Sequence, residues 1–268
     1  VKTQDKIEAV ARKALSFSRR WLPPAGSYPT TVLDLIIFHK LHLALPAADA
    51  ARSFRQLKDA FVDWNEVRIS SVREIQGELA GEGTLDVAVF IKDLLEIVHR
   101  ERQDVSLEFI IEQNLGEIRR YLKQVKGMDS ATIDLILRVR KEHPLVPLNQ
   151  AMEAVLARLG VLRATDTRDR KGKILHEALG EDSLPFHHFL LEHSRSTCPP
   201  DESRLDCPRC VLRDLCDFYA RTVRKLAKRS ARSRRPEGRR APLRAVKKVT
   251  RGQAVAKRVR RIAGKKSR

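Results

Sequence analysis

The stretch Cys198-Pro199-Pro200-Asp201-Glu202-Ser203-Arg204-Leu205-Asp206-Cys207-Pro208-Arg209-Cys210-Val211-Leu212-Arg213-Asp214-Leu215-Cys216 holds every cysteine of the chain. The spacing is Cys-x8-Cys-x2-Cys-x5-Cys. Four thiolates on one compact loop suit a tetrahedral zinc or a 4Fe–4S cluster. A zinc loop normally pairs two short Cys-x-x-Cys knuckles and only one is present, so the spacing favours the cluster and leaves zinc as the alternative. Two disulfides or free thiols are the non-metal reading. Disulfide scaffolds of secreted domains scatter their cysteines along the chain, so one tight group points to metal.

Around that loop the charge is unevenly placed. The chain has 268 residues, 53 Lys+Arg and 34 Asp+Glu. From Arg221 to Arg268 there are 21 basic residues and one acid, Glu237, whereas residues 1–220 carry a net charge of −1. A neutral body with a cationic tail follows, and an evenly basic fold is excluded. The length suffices for a substantial core. No apolar run reaches about 18 residues, so no transmembrane helix is expected. The start, Val1-Lys2-Thr3-Gln4-Asp5, lacks a signal-peptide pattern. The expected location is cytoplasmic, nucleoid-associated, or nuclear in a eukaryote.

The body reads as helix throughout. Ile7, Val10, Ala11, Ala14 and Leu15 mark an amphipathic helix over about residues 3–19, before the break at Trp21–Gly26. Thr30 or Thr31 caps an apolar helix holding Leu33, Leu35, Ile36, Ile37, Phe38 and Leu41. Pro46 opens another, with Phe54, Leu57 and Phe61 inward. A short helix near Val72–Leu79 stops at Gly81-Glu82-Gly83. Leu85, Ala88, Val89, Ile91, Leu94, Leu95 and Val98 predict a buried helix of about four turns. One or two short helices around Gly116 fall within Ser106–Val125, and Asp129–Glu142 is capped by Asp129 or Ser130 and ends before Pro144. Asn149–Leu159 ends at Gly160; Lys171–Leu179 and Leu184–Ser194 follow. No alternating strand and no repeat is found, so the fold class is all-α, of about ten helices. The tail lacks aromatic residues and apolar periodicity, which predicts disorder when free.

The segment Phe189-Leu190-Leu191-Glu192-His193-Ser194-Arg195 leading into Cys198, and the close Val211-Leu212-Arg213-Asp214-Leu215-Cys216, resemble the iron–sulfur loop of the endonuclease III (HhH-GPD) family of DNA glycosylases. That family spaces its ligands Cys-x6-Cys-x2-Cys-x5-Cys; here the first spacer is two residues longer and the last two match. The resemblance implies that Cys198, Cys207, Cys210 and Cys216 hold a structural 4Fe–4S cluster. It also implies that Arg204, Arg209 and Arg213 face phosphate, against the plainer reading of a solvated surface.

The resemblance extends back to Val125-Lys126-Gly127-Met128-Asp129-Ser130-Ala131-Thr132. This stretch matches the family's Leu-Pro-Gly-Val-Gly-x-Lys-Thr hairpin, whose backbone N–H groups bind DNA phosphate. By this match Lys126, Gly127, Met128, Ser130 and Thr132, with Arg209 and Arg213, are the expected DNA contacts. A plain helix cap at Asp129 is the alternative reading. Asp129 replaces the second glycine and places an acid beside the phosphate site, which Lys126 partly offsets. Two family positions are substituted. The lyase lysine, whose amine would form a Schiff base, corresponds to Ala131. The aspartate of the Val-Asp-Thr-His segment corresponds to Asn149, an amide that cannot act as a base. The helix ending Leu43-Ala44-Leu45 departs from the Gln- and Thr-rich close of the relatives. No catalytic residue is therefore assigned; Lys126, Lys141 and Asp134 are the displaced candidates.

The resulting expectation is a two-lobed helix-hairpin-helix glycosylase-like fold with four parts. Residues 1–29 pack on the iron–sulfur lobe, 30–145 form the hairpin lobe, 146–220 the iron–sulfur lobe and 221–268 the basic tail. DNA would lie between Ala131 and Asn149. The expected partner is double-stranded DNA, without membrane association, and the protein is expected to be a monomer. The expected function is DNA binding in the manner of a base-excision repair protein without normal glycosylase or lyase chemistry. The alternatives are an active glycosylase using displaced residues and a chromatin-like protein acting through its tail. Twenty-one cations on the tail drive polyanion binding by counterion release but read no sequence.

Overall fold

A computed structural model of the chain describes residues 3–18, 29–163 and 165–222. The break at Trp21–Gly26 and the expected disorder of the tail beyond residue 222 fall outside the described residues.

Eleven α-helices and no strand occur among the described residues. The helices follow their capping chemistry. Helix α1 is Thr3–Ser18 and α2 is Val32–Ala44, opened by Thr31, whose hydroxyl accepts from Asp34 N. Helix α3 (Ala47–Ala60) begins after Pro46. Helix α4 (Trp64–Ile69) is capped by Asp63. Helix α5 (Val72–Gly77) starts with a reciprocal capping box of Ser71 and Glu74. Helix α6 is Leu85–Arg102 and α7 is Leu115–Leu122, the latter boxed by Asn114 and Glu117. Helices α8 (Ser130–Arg140), α9 (Gln150–Leu159) and α10 (Arg168–Leu179) open on Asp129, Asn149 and Thr167, each accepting from a backbone N–H of its helix. Helix α11 is Ser183–Ser196.

The apolar side chains gather into two clusters. One holds Ile36, Ile37, Leu41, Leu57, Ile91, Leu94, Leu95, Ile118, Ile133 and Ile136, from α2 through α8. The other joins Ile7, Val10, Ala11 and Ala14 of α1 to Met152, Leu156, Leu175, Phe186, Phe189 and Leu212. Fully burying one such side chain stabilises by roughly 1.5–3 kcal/mol, so each cluster can hold its own set of helices. Helix α2 belongs to both sides: nine of its positions are buried, His39 and His42 among them. A helix apolar all round is a core helix.

Several expectations are corrected. Helix α4 was not expected from the sequence; its six residues carry too little periodicity, and its signal is the Asp63 cap. Leu85 and Val89, expected inside, are 51% and 38% exposed. They lie on the opposite face of α6 from Val87, Ile91, Leu94 and Val98. Helix α6 also runs to Arg102, longer than four turns. Two short helices do fall within Ser106–Val125, a 3-10 turn over Glu108–Glu112 and α7, with Gly116 in the first turn of α7.

Candidate nucleic-acid interface and metal centre

The hairpin joins α7 to α8. Met128 N donates to Val125 O at 3.0 Å and closes the turn. Gly127 takes φ +82°, where a Cβ would meet Phe90 at 3.4 Å. A side chain there would be strained by the backbone and pressed on the ring. Lys40 fixes the turn from α2: its ammonium donates to Gly127 O at 2.7 Å and stands 4.5 Å from the centroid of Phe90. Lys126 and Gly127 are exposed, and both line an open hollow of about 520 Å³ with Lys40, Leu43, Ala44 and Phe90.

Asp129 is the N-cap of α8. Its Oδ1 accepts from Thr132 N at 2.9 Å and its Oδ2 from Thr132 Oγ1 at 2.7 Å. Both polar groups of Thr132 are thus engaged within the protein, and the residue is buried. The N–H groups of Ser130 and Ala131, at the start of the helix, have no intrahelical acceptor. Met128 packs against the first cluster. Ala131, at the family's lysine position, is 1% exposed. Asn149 is half-buried, and its Oδ1 is spent accepting from Met152 N at 2.8 Å. Of the displaced candidates, Asp134 is enclosed by Arg168 (Nε–Oδ2 2.7 Å) and Arg119 (Nη2–Oδ1 3.3 Å). Lys141 is half-buried just beyond the end of α8.

The cysteine loop hangs from α11. Cys198 N donates to His193 O at 2.8 Å, and Asp206 N to Thr197 O at 2.9 Å. Tight turns then carry Cys207, Cys210 and Cys216, with Cys210 N donating to Cys207 O and Cys216 N to Arg213 O. Leu212 anchors the loop in the second cluster. All four cysteines are free thiols and line one hollow of about 300 Å³, counting its open mouth. Among the described residues no three His, Cys, Asp or Glu side chains converge as they would around one ion. Burial pushes the Cys198 and Cys207 thiols up, and Cys210 up to about 11. Bringing four thiolates together there needs a compensating positive charge.

Arg158, at the end of α9, staples the start of the loop. It donates to Pro199 O and Pro200 O, each at 2.6 Å, and lies 3.4 Å from Cys198 Sγ. Behind it Gly160 takes φ +76°, and a Cβ there would fall 1.9 Å from Asp217 Oδ2. That carboxylate pairs with Lys6 of α1 at 2.6 Å. Nothing in the local sequence marks Arg158 for this role. His193 Nε2 is 3.6 Å from Cys210 Sγ, also unforeseen. Arg209 is 88% exposed and pairs only loosely with Asp206 at 3.8 Å. Arg213 reaches Pro208 O at 3.2 Å and borders the hollow, and Arg204 is exposed.

Comparison with known proteins agrees with this arrangement. Endonuclease III of Sulfolobus acidocaldarius is 28% identical over 139 residues, covering 51% of this chain and 58% of that protein. Endonuclease III of Haemophilus influenzae is 27% identical over 112 residues, covering 41% and 52%. The matches thus span little more than half the length of these relatives. A solved non-covalent endonuclease III–DNA complex superposes with a TM-score of 0.56 at 17% identity, over 84% of this chain and 99% of that one. No protein-family model matches the chain. The fold is the all-α helix-hairpin-helix architecture of the DNA glycosylases. In sequence the chain is similar to the endonuclease III members of the DNA glycosylases.

Proposed function

We propose that this protein binds double-stranded DNA in the manner of a base-excision repair protein and does not break the glycosidic bond. The observation that carries this reading is Ala131: a buried methyl group stands where the family's amine would attack. Asn149 supports it, because its amide is neutral and already caps α9. The hairpin supplies the grip. Exposed Lys126 and the free N–H groups at the start of α8 form a phosphate seat at a helix N-terminus. Thr132 contributes by holding Asp129 in its capping pose rather than by touching phosphate.

The four cysteines are assigned to a 4Fe–4S cluster, which would supply structural cross-linking of the loop. Zinc would need four sulfurs about 2.3 Å from one point, whereas a cluster accepts them at its separate corners, as side chains around a shared hollow suggest. Arg158 would then neutralise charge at Cys198, and the pinned loop would present Arg209 and Arg213 to the DNA backbone. The protein would act as a monomer on nucleoid or nuclear DNA. No described helix is long and apolar enough to cross a membrane.

The test is turnover on duplexes carrying oxidised pyrimidines or mismatched purines, with borohydride trapping on an abasic duplex. Neither base release nor a trapped adduct is expected above a heat-killed control. An adduct mapping to Lys126, the exposed amine beside the hollow, would establish the active alternative instead.

A further inference from the structure

Where α2, α8 and α11 meet, five groups form one unbroken chain of polar contacts that the proposed DNA binding does not use. His187 Nδ1 lies 2.8 Å from the carbonyl oxygen of Pro147. His187 Nε2 lies 3.2 Å from His39 Nε2, and His39 Nδ1 lies 2.8 Å from Thr132 Oγ1. Thr132 Oγ1 lies 2.7 Å from Asp129 Oδ2. His39 and His187 are fully buried, so no bulk water completes the set.

Counting hydrogens along this chain gives a definite shortfall. Both ends, a carbonyl and a carboxylate, can only accept. The four contacts therefore need four hydrogens. Two neutral imidazoles bring one each and the threonine hydroxyl brings one, which makes three. With three, one contact sets lone pair against lone pair. With a fourth proton on the imidazole pair, every contact becomes a hydrogen bond, and the cation is balanced by the Asp129 carboxylate.

We propose that the chain Pro147–His187–His39–Thr132–Asp129 is a buried site that takes up one proton as a unit, and that uptake ties the hairpin turn to the segment entering α9. Its two ends flank Ala131 and Asn149, each two residues away along the chain. The surroundings set where uptake occurs. On α2, Lys40 and His42 face the pair; on α11, His188 does, and Arg195 lies beyond it against His42. All of these oppose a further positive charge. Asp129 and the Pro147 carbonyl favour it. Burial pushes His39 well down and His187 down to about 4, so the proton enters on the acid side of neutrality.

The test is nitrogen NMR of the imidazole rings in the full chain, titrated from about pH 7.5 downward. In the wild type His39 and His187 titrate together, one proton serving two rings. Thr132→Val removes two contacts, those of the hydroxyl with His39 and with Asp129, and leaves two that the neutral rings already satisfy. Asp129→Asn supplies the missing hydrogen from its own amide and keeps all four contacts. Either change lowers the midpoint of the pair by about one pH unit, a tenfold loss of proton affinity. Should Thr132→Val not fold, Asp129→Asn gives the same reading, since asparagine is an equally good cap. Midpoints unchanged in the variants, rings that titrate independently, or rings that stay neutral until the fold is lost would each overturn the proposal.

Discussion

Replacing Asp134 with asparagine removes a buried carboxylate that draws together α7, α8 and α10. Its side chain is 7% exposed and meets Arg168 at 2.7 Å and Arg119 at 3.3 Å. A charge-assisted hydrogen bond contributes about 1.5–3 kcal/mol when well formed, and only the Arg168 contact is short. Breaking a buried pair by removing one partner costs about 3–5 kcal/mol. Both guanidinium groups are about a third exposed and regain water, so the discounted loss falls below that range. The expected loss is about 2 kcal/mol, which for a domain of this size lowers Tm by roughly 4–8 °C. Thermal or urea unfolding of Asp134→Asn measures it. Asp169→Asn is the internal control, because that carboxylate is 78% exposed and 3.8 Å from Arg119; it should leave Tm unchanged. Equal melting of wild type and Asp134→Asn would refute the role of this tie and return Asp134 to the pool of free carboxylates.

Other outcomes follow from the same geometry. His39, His42, His187 and His188 are held neutral by burial, with folded values below the unfolded value of about 6.5. The unfolded chain therefore takes protons first. Stability is complete above about pH 6.5 and falls toward pH 4, by about 2 kcal/mol at pH 5 from His187 alone; a urea midpoint flat across that range would contradict it. Thr132→Val should lose stability faster than wild type over the same window. Gly127→Ala places an alanine at φ +82°, costing about 1 kcal/mol, and should weaken DNA binding measured by fluorescence anisotropy; unchanged affinity would remove the turn from the interface. With about ten tail cations on phosphate, log K should fall against log salt with a slope near −9, and truncation after Arg224 should flatten it. Purified protein should absorb near 400 nm and carry about four irons per chain, both lost in Cys207→Ser; colourless protein with one zinc would reassign the loop.

The parts legible in the sequence were those with local signals. Thr31 and Asp129 cap the helices they were expected to cap, Asn149 caps the helix expected to begin with it, and Gly160 ends α9. The cysteine spacing marked its loop because four thiols within 19 residues are more than a packed core or a scattered disulfide framework requires. What the sequence hid is long-range. His39 and His187 are 148 positions apart and read separately as polar interruptions in apolar helices. Lys40 reaches Gly127 across 87 positions, and Arg158 reaches Pro199 across 41. No spacing encodes such pairings. Leu85 and Val89 misled because their apolar character suggested burial, whereas the helical period puts them on the face of α6 opposite Val87, Ile91, Leu94 and Val98.

A fluorescent duplex with one abasic site, incubated with saturating protein, reports grip and chemistry in one tube. Anisotropy should show tight binding that weakens with salt, while a denaturing gel of the same sample shows the strand intact after many hours. Strand cleavage that scales with protein and survives repurification would mean that the chemistry persists despite Ala131 and Asn149, and binding no tighter than to free tail peptide would mean that the hairpin grips nothing.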